Sequence, residues 1–211
     1  MKIHSNSFIH RGPIPAEVAF GRRGDAGEPC VLSANRNPHL AWDAVPEGTA
    51  SFALLCIDPD APTRPDDVNQ PGRTVPADLP RAEFVHWVMI DLPADLREIA
   101  AGALSDGITV RGKPAAAGPG GARQGVNDYT GWFAGDADMA GQYHGYDGPC
   151  PPFNDAIPHR YFFRLFALDV PRLDLPDGFT AAQVLAAIHG HVLAEALVYG
   201  TYSLNPAVAM A

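Results

Sequence analysis

Cysteine is scarce in this chain of 211 residues: Cys30, Cys56 and Cys150 are odd in number and share no CxxC or CxxxC spacing. That pattern fits a reducing compartment better than a disulfide scaffold or a structural zinc framework. Positive charge is also short. Lys and Arg total 15 against 24 Asp and Glu, for a net charge of -9. No basic run of five occurs, which disfavours nucleic acid and other polyanions as partners. No apolar leader follows Met1-Lys2-Ile3-His4-Ser5-Asn6, and the most apolar C-terminal stretch, 185–198, is interrupted by His189, His191 and Glu195. Neither export nor an integral membrane span is therefore expected, and a cytoplasmic location is. The Gly-rich run GPGGARQG at 118–125 lacks the Gly-Lys-Ser/Thr ending of a phosphate loop and reads as flexible loop, and no G-x-S-x-G elbow is present. His189 and His191, two apart, do not share a helix face and are weak metal candidates. Internal repeats are absent.

The chain does have a core to bury. Hydrophobic residues make up 46% and charged residues 18%, while 21 Gly and 21 Pro point to many turns. Three apolar or alternating runs predict strands of a central sheet: Ser51–Ile57, Glu83–Leu92 and Arg160–Leu168. Weaker strand signals lie at Glu17–Phe20 and His39–Trp42. A helix is predicted from Thr180 to Tyr199, with Thr180 and Gln183 as a capping box, Val184, Leu185, Ile188, Val192, Leu193 and Leu197 at helical spacing, and Gly200 as its stop. A shorter helix is predicted over Ala94–Ile99. From Gly102 to Pro152 the sequence turns Gly-rich and then aromatic, which reads as a long excursion carrying function or mobility. Strands without βαβ alternation predict a mainly β, or β-rich α+β, fold in one domain spanning 1–211, with that 102–152 excursion and a C-terminal helix.

Three constellations carry candidate chemistry. Asp58-Pro59-Asp60-Ala61-Pro62 follows a strand, where its prolines would hold two carboxylates in a stiff turn; ordinary turns use the same residues. His86 lies in the strand FVHWVMI, where alternation groups it with Val88 and Ile90, opposite Val85, Trp87 and Met89. A lone histidine there is more often a satisfied core residue than a ligand. Gly148-Pro149-Cys150-Pro151-Pro152 leads to His159-Arg160-Tyr161, with His159 and Tyr161 on one face of the next strand.

Taken in order, CIDPDAP (56–62), HWVMIDLP (86–93), GPCPP (148–152) and HRYFFRLFAL (159–168) resemble the phosphatidylethanolamine-binding protein family, in particular its bacterial Raf kinase inhibitor-like branch. The resemblance implies a β-sandwich-like fold with a large central antiparallel sheet. It also implies a small pocket for an anionic head group such as phosphate, phosphoethanolamine or an acetate-like carboxylate. Carried over by motif position, the ligand-binding residues would be Asp58, Asp60, Pro62, His86, Pro152, His159 and Tyr161, with a cis peptide at Ala61–Pro62. Two imidazoles and a phenol suit an anion, since each donates a hydrogen bond. Asp58 would repel one, so its expected role is to accept from an imidazole, favour protonated His86 and tighten anion binding at mildly acidic pH. The extra stretch Phe153–Ile157 leaves the placement of Pro152 open.

The leading expectation is a small-anion binding protein that is not an enzyme, needs no cofactor or metal, and regulates a protein partner as eukaryotic relatives act on kinases. Two alternatives stay open. One is a hydrolase, with a metal held by Asp58, Asp60, His86 and His159, or with Cys150 as a thiolate paired with His159. The other is an interaction scaffold using the aromatic 127–147 loop, where Tyr129, Trp132, Phe133, Tyr143 and Tyr146 would form a lid, a homodimer surface or a simple anchor of the loop.

Overall fold

The computed structural model describes residues 1–209. In chain order the strands are β1 (Lys2–His4), β2 (Gly21–Arg22), β3 (Val31–Leu32), β4 (Leu40–Asp43), β5 (Ser51–Pro62), β6 (Arg81–Pro93), β7 (Glu98–Ile99), β8 (Arg123–Gln124), β9 (His159–Leu168) and β10 (Val192–Tyr202). The α-helices are α1 (Tyr129–Trp132) and α2 (Ala181–Ala187). The fold is mainly β. A five-stranded sheet runs β10-β9-β5-β6-β8 with every pairing antiparallel, a three-stranded sheet runs β1-β4-β7, and β2-β3 form a small hairpin. Among the described residues no helix is long and apolar enough to cross a membrane.

β5 explains why its sequence is almost continuously apolar. Phe52, Leu54 and Cys56 face one way, onto Leu40, Trp42 and Ile99 of the three-stranded sheet; Ala53, Leu55 and Ile57 face the other way, onto Leu173, Phe179 and Val184 beneath α2. A strand buried on both faces cannot alternate with polar residues. The sandwich core on the first face continues through Trp87, Met89, Phe163 and Leu165, and the Trp87 indole N–H donates to Gln124 Oε1 at 3.0 Å.

The three long strands fall where the sequence predicts them, and His39–Trp42 is close to β4. Other expectations are corrected. The C-terminal helix is only seven residues long: Thr180 N–H does donate to Gln183 Oε1 at 2.9 Å, but the chain reverses at Gly190, whose φ of +85° suits a residue without a side chain. Beyond this reversal the chain enters β10, paired with β9 from Val192 to Tyr202. The residues that supplied the helical period, Val192, Leu193 and Leu197, are 41–44% exposed on this edge strand, while Ala196, Val198, Gly200 and Tyr202 alternate inward. Ala94–Ile99 is a turn ending in β7, and 17–20 is a 3-10 turn followed by coil. Part of GPGGARQG is ordered as β8, with Arg123 Nε donating to Asp91 Oδ2 at 2.8 Å.

The DPDAP segment is strand, not a turn. β5 continues through it with a register irregularity between Asp58 and Ala61, a place where the missing N–H of Pro59 does no harm. Among the described residues all peptide bonds are trans, Ala61–Pro62 included, so the expected cis bond is corrected: the strand stays extended and pairs Ala61 with Ala82.

A second irregularity matters more. Cys56 pairs with Trp87 but the next residue, Ile57, pairs with Val85, so His86 is the inserted residue of a β-bulge. A bulge breaks strict alternation. Val85 joins Val88 against the second core, and the His86 ring turns to the face of Trp87 and Tyr161. The face predicted by alternation for His86 is thus overturned by one extra residue in the strand.

Candidate functional site

A cavity of about 500 Å³ opens at the end of the five-stranded sheet where β5 runs out and β6 and β9 begin. Six of the seven sequence-predicted residues line it: Asp58, Pro62, His86, Pro152, His159 and Tyr161. Asp60 does not. Its carboxylate is gripped by Arg160, with Nε at 2.8 Å, Nη2 at 2.7 Å and the backbone N–H at 2.9 Å. Burial would raise its pKa, but Arg160 outweighs that and holds it below the usual carboxylate range.

The two histidines have opposite fates. His159 sits between two carboxylates, with Nδ1 donating to Asp58 Oδ2 at 2.7 Å and Nε2 donating to Asp155 Oδ2 at 3.1 Å. Burial pushes its pKa down, but the Asp58 charge and the bonds to Asp155 and Asp58 outweigh it and lift the value to about 9. It is an imidazolium at neutral pH. Asp155 in turn takes a two-pronged grip from Arg81, at 2.6 and 3.0 Å. The second oxygen of Asp58 accepts the Asp60 N–H at 2.7 Å, so both oxygens of this carboxylate are occupied by protein donors.

Asp155 and Arg81 carry no motif that would single them out in the sequence. Asp155 belongs to the extra stretch 153–157, which leaves Pro152 in the pocket wall and delivers the second carboxylate to His159. Its spacing of four from His159 is the available signal, a weak one outside a helix.

His86 Nδ1 lies 2.7 Å from the Asp147 carbonyl oxygen; a carbonyl only accepts, so Nδ1 carries the proton. The Asp147 N–H also donates to the His86 carbonyl at 3.0 Å, clipping the bulge from both sides. Burial lowers the His86 pKa, and the charge of Asp58 and the Asp147 carbonyl only partly offset it. The ring is neutral at neutral pH, leaving an Nε2 lone pair with no protein partner among the described residues. Asp58 does accept from an imidazole, that of His159, but the expected protonated His86 is corrected: burial outweighs the charge of Asp58. Asp147 is itself held by Asn35 and Asn127, both at 2.8 Å, and by Lys113 at 3.0 Å.

Around His86 the walls are aromatic. Its ring lies 5.0 Å from Phe84, 5.1 Å from Tyr161 and 5.6 Å from Tyr129, centroid to centroid. Tyr129, Trp132 and Phe133 of the excursion line the cavity with Phe20 and Met139, whereas Tyr143 and Tyr146 are core. Their roles divide: some wall the pocket and some anchor the loop. The Tyr161 hydroxyl is fully buried and has no hydrogen-bond partner among the described residues, a gap that an ordered water or a ligand would fill. Cys150 also lines the cavity, but its sulfur lies 3.8 Å from Cys30 Sγ, not beside His159.

An antiparallel β-sandwich with an apolar-walled cavity at its sheet end, floored by a few fixed polar groups, is the kind of scaffold in which small-ligand sites occur. Comparison with known proteins makes this specific: the chain matches the phosphatidylethanolamine-binding protein family over residues 4–203 and belongs to it. It is 34% identical over 203 residues to the UPF0098 protein YbhB of Escherichia coli K12, spanning 96% of this chain and 100% of that protein. It is 35% identical over 202 residues to a UPF0098 protein of Methanothermobacter thermautotrophicus, spanning 96% and 98%. The crystal structure of E. coli YbcL, described as a new member of the mammalian family, is similar with a TM-score of 0.66 at 28% identity, covering 96% of this chain and 97% of that one.

Proposed function

We propose that the cavity binds the anionic head group of a small ligand, a phosphate, phosphoethanolamine or carboxylate, without turning it over. The observation that carries this reading is the buried, unpartnered Tyr161 hydroxyl beside a histidine with a free Nε2. A buried donor left unmade costs roughly 1–3 kcal/mol, which a ligand that accepts from Tyr161 would recover while offering a proton to His86 Nε2. A phosphate monoester does so: one oxygen accepts from Tyr161 while the proton of its monoanion is shared with His86 Nε2. Since a phosphate monoester loses that proton near pH 6, binding the dianion takes up a proton, and affinity rises as pH falls from 8 to 6. Asp58 does not oppose the anion as a bare charge, because its oxygens are occupied and imidazolium His159 lies against it.

The hydrolase alternatives lack this support. His159 has both nitrogens committed to carboxylates, so it neither offers a lone pair to a metal nor serves Cys150 as a base. Any regulation of a protein partner would follow from occupancy of this cavity.

The test is a histidine-resolved NMR titration with inorganic phosphate and O-phosphoethanolamine. Saturable shifts are expected at His86. Tyr161→Phe is expected to weaken binding about tenfold or more, the worth of a hydrogen bond to a charged group, without lowering the stability of the free protein, because the hydroxyl has no protein partner. Absence of saturation, or equal affinity in Tyr161→Phe, overturns the reading.

A further inference from the structure

Cys30 and Cys150 are 120 residues apart in the chain, yet their sulfurs lie 3.8 Å apart, and the third cysteine, Cys56, is buried in the sandwich core. The approach is built into the backbone. The N–H groups of Phe20 and Gly21 both donate to the Pro149 carbonyl, at 2.9 and 3.1 Å, so the β2-β3 hairpin is already fastened to the residue preceding Cys150. Gly21 makes room for the two sulfurs: a Cβ there would come within 2.5 Å of Cys150 Sγ and 2.9 Å of Cys30 Sγ. Pro149 and Pro151 stiffen the loop on either side of Cys150.

We propose that Cys30 and Cys150 are a redox-modification site, closing reversibly to a disulfide that fastens the β2-β3 hairpin to the Cys150 loop in the cavity wall. The sulfurs need to move about 1.8 Å closer to reach the ~2.05 Å of a bond. Cys30 is exposed and is the entry point; the hydrogen bond from Cys150 outweighs burial and brings its pKa down to about 7. Cys150 is the resolving thiol, kept protonated by that same contact and by burial.

The oxidant is a small-molecule disulfide, RSSR. The Cys30 thiolate attacks one of its sulfurs, forming Cys30–S–SR and expelling RS⁻. Cys150 then attacks the Cys30 sulfur, its proton passing to the second departing RS⁻. Two protein sulfurs are oxidised by two electrons, and one RSSR is reduced to two RS groups. Leu32 of β3 and Cys150 both line the cavity, so the bond ties two parts of its wall together. The chemistry is independent of what the cavity binds, and its failure would leave the anion reading untouched.

The test is incubation of the full chain with oxidised glutathione, followed by denaturing alkylation and mass spectrometry. The expected product has one alkylated thiol, Cys56, a mass loss of two hydrogens, and a peptide link between Cys30 and Cys150 that dithiothreitol reverses. Cys150→Ser is expected to stop at a stable glutathione adduct on Cys30, and Cys30→Ser to form no link. Three alkylated thiols, a glutathione adduct that persists on Cys30 in the unmutated chain, or a Cys30–Cys30 link between chains would each overturn the proposal.

Discussion

His86 and His159 stand on neighbouring walls of one cavity and carry different charge. His159 lies among Asp58, Asp155 and Arg81, where both ring nitrogens have carboxylate partners and the ring is held protonated. His86 lies among Phe84, Tyr129 and Tyr161, where one nitrogen is tied to a carbonyl and burial keeps the ring neutral. The ionic side is cross-linked by paired charges, and the aromatic side leaves the Tyr161 hydroxyl without a protein partner among the described residues. Identical side chains thus take different protonation states according to what surrounds them.

The comparison is broken most severely at Asp155. Replacing it by alanine leaves Arg81 and His159 short of a partner in a buried setting, and Asp155→Ala is expected to cost about 3 kcal/mol or more of unfolding free energy in a urea titration. A loss below about 1 kcal/mol would mean that the cluster does not hold the sheet end together.

The pH dependence of stability separates the two histidines. The folded-state pKa of His159 is raised, so its contribution is complete below the unfolded value of 6.5 and is lost as pH rises through about 9. In chemical denaturation from pH 6.5 to 9.5 the unmutated chain is expected to lose ~3 kcal/mol more than His159→Gln on this account. On the acid side the sign reverses for His86, whose folded pKa is lowered: stability declines as pH falls below 6.5 because only the unfolded chain charges it freely. Asp60 and Asp155, with lowered pKa values, extend the decline below the ordinary carboxylate value of 3.8. His159→Gln should flatten the alkaline limb and keep the acid one; an alkaline limb that survives would show that another group carries it.

The smallest effect belongs to the cavity rim. Trp132 is 53% exposed, so Trp132→Ala is expected to change stability by less than about 0.5 kcal/mol. Inorganic phosphate should bind it unchanged, while phenyl phosphate should bind roughly threefold more weakly through loss of about 0.7 kcal/mol of apolar contact. Calorimetry with the two ligands distinguishes the rim from the floor, and equal losses for both would contradict the division.

Much of this is legible without the fold. The long strands announce themselves through apolar runs bounded by Pro, Gly and Asp, and six pocket residues are named by their motifs. The failures share a cause: periodicity reads local spacing and is blind to the partner strand. Val192, Leu193 and Leu197 mimic a helix stripe although they face solvent on an edge strand, since pairing with β9 decides their conformation. Alternation puts His86 on the wrong face because its bulge exists only relative to Cys56 and Ile57 on β5. Asp60 resembles a ligand residue until Arg160 claims it, and the thiol pair is hidden by a separation of 120 residues.

The sequence by itself determined the β-rich class, the three long strands of the central sheet, the shared face of His159 and Tyr161, and the kinds of side chain that would meet at the sheet end. Only the tertiary structure decided which carboxylates reach which histidine, and hence which ring is charged. Apolar pattern is a local property of the chain, whereas a protonation state is the balance of burial against charges delivered from positions as far apart as Asp58, Asp147 and Asp155.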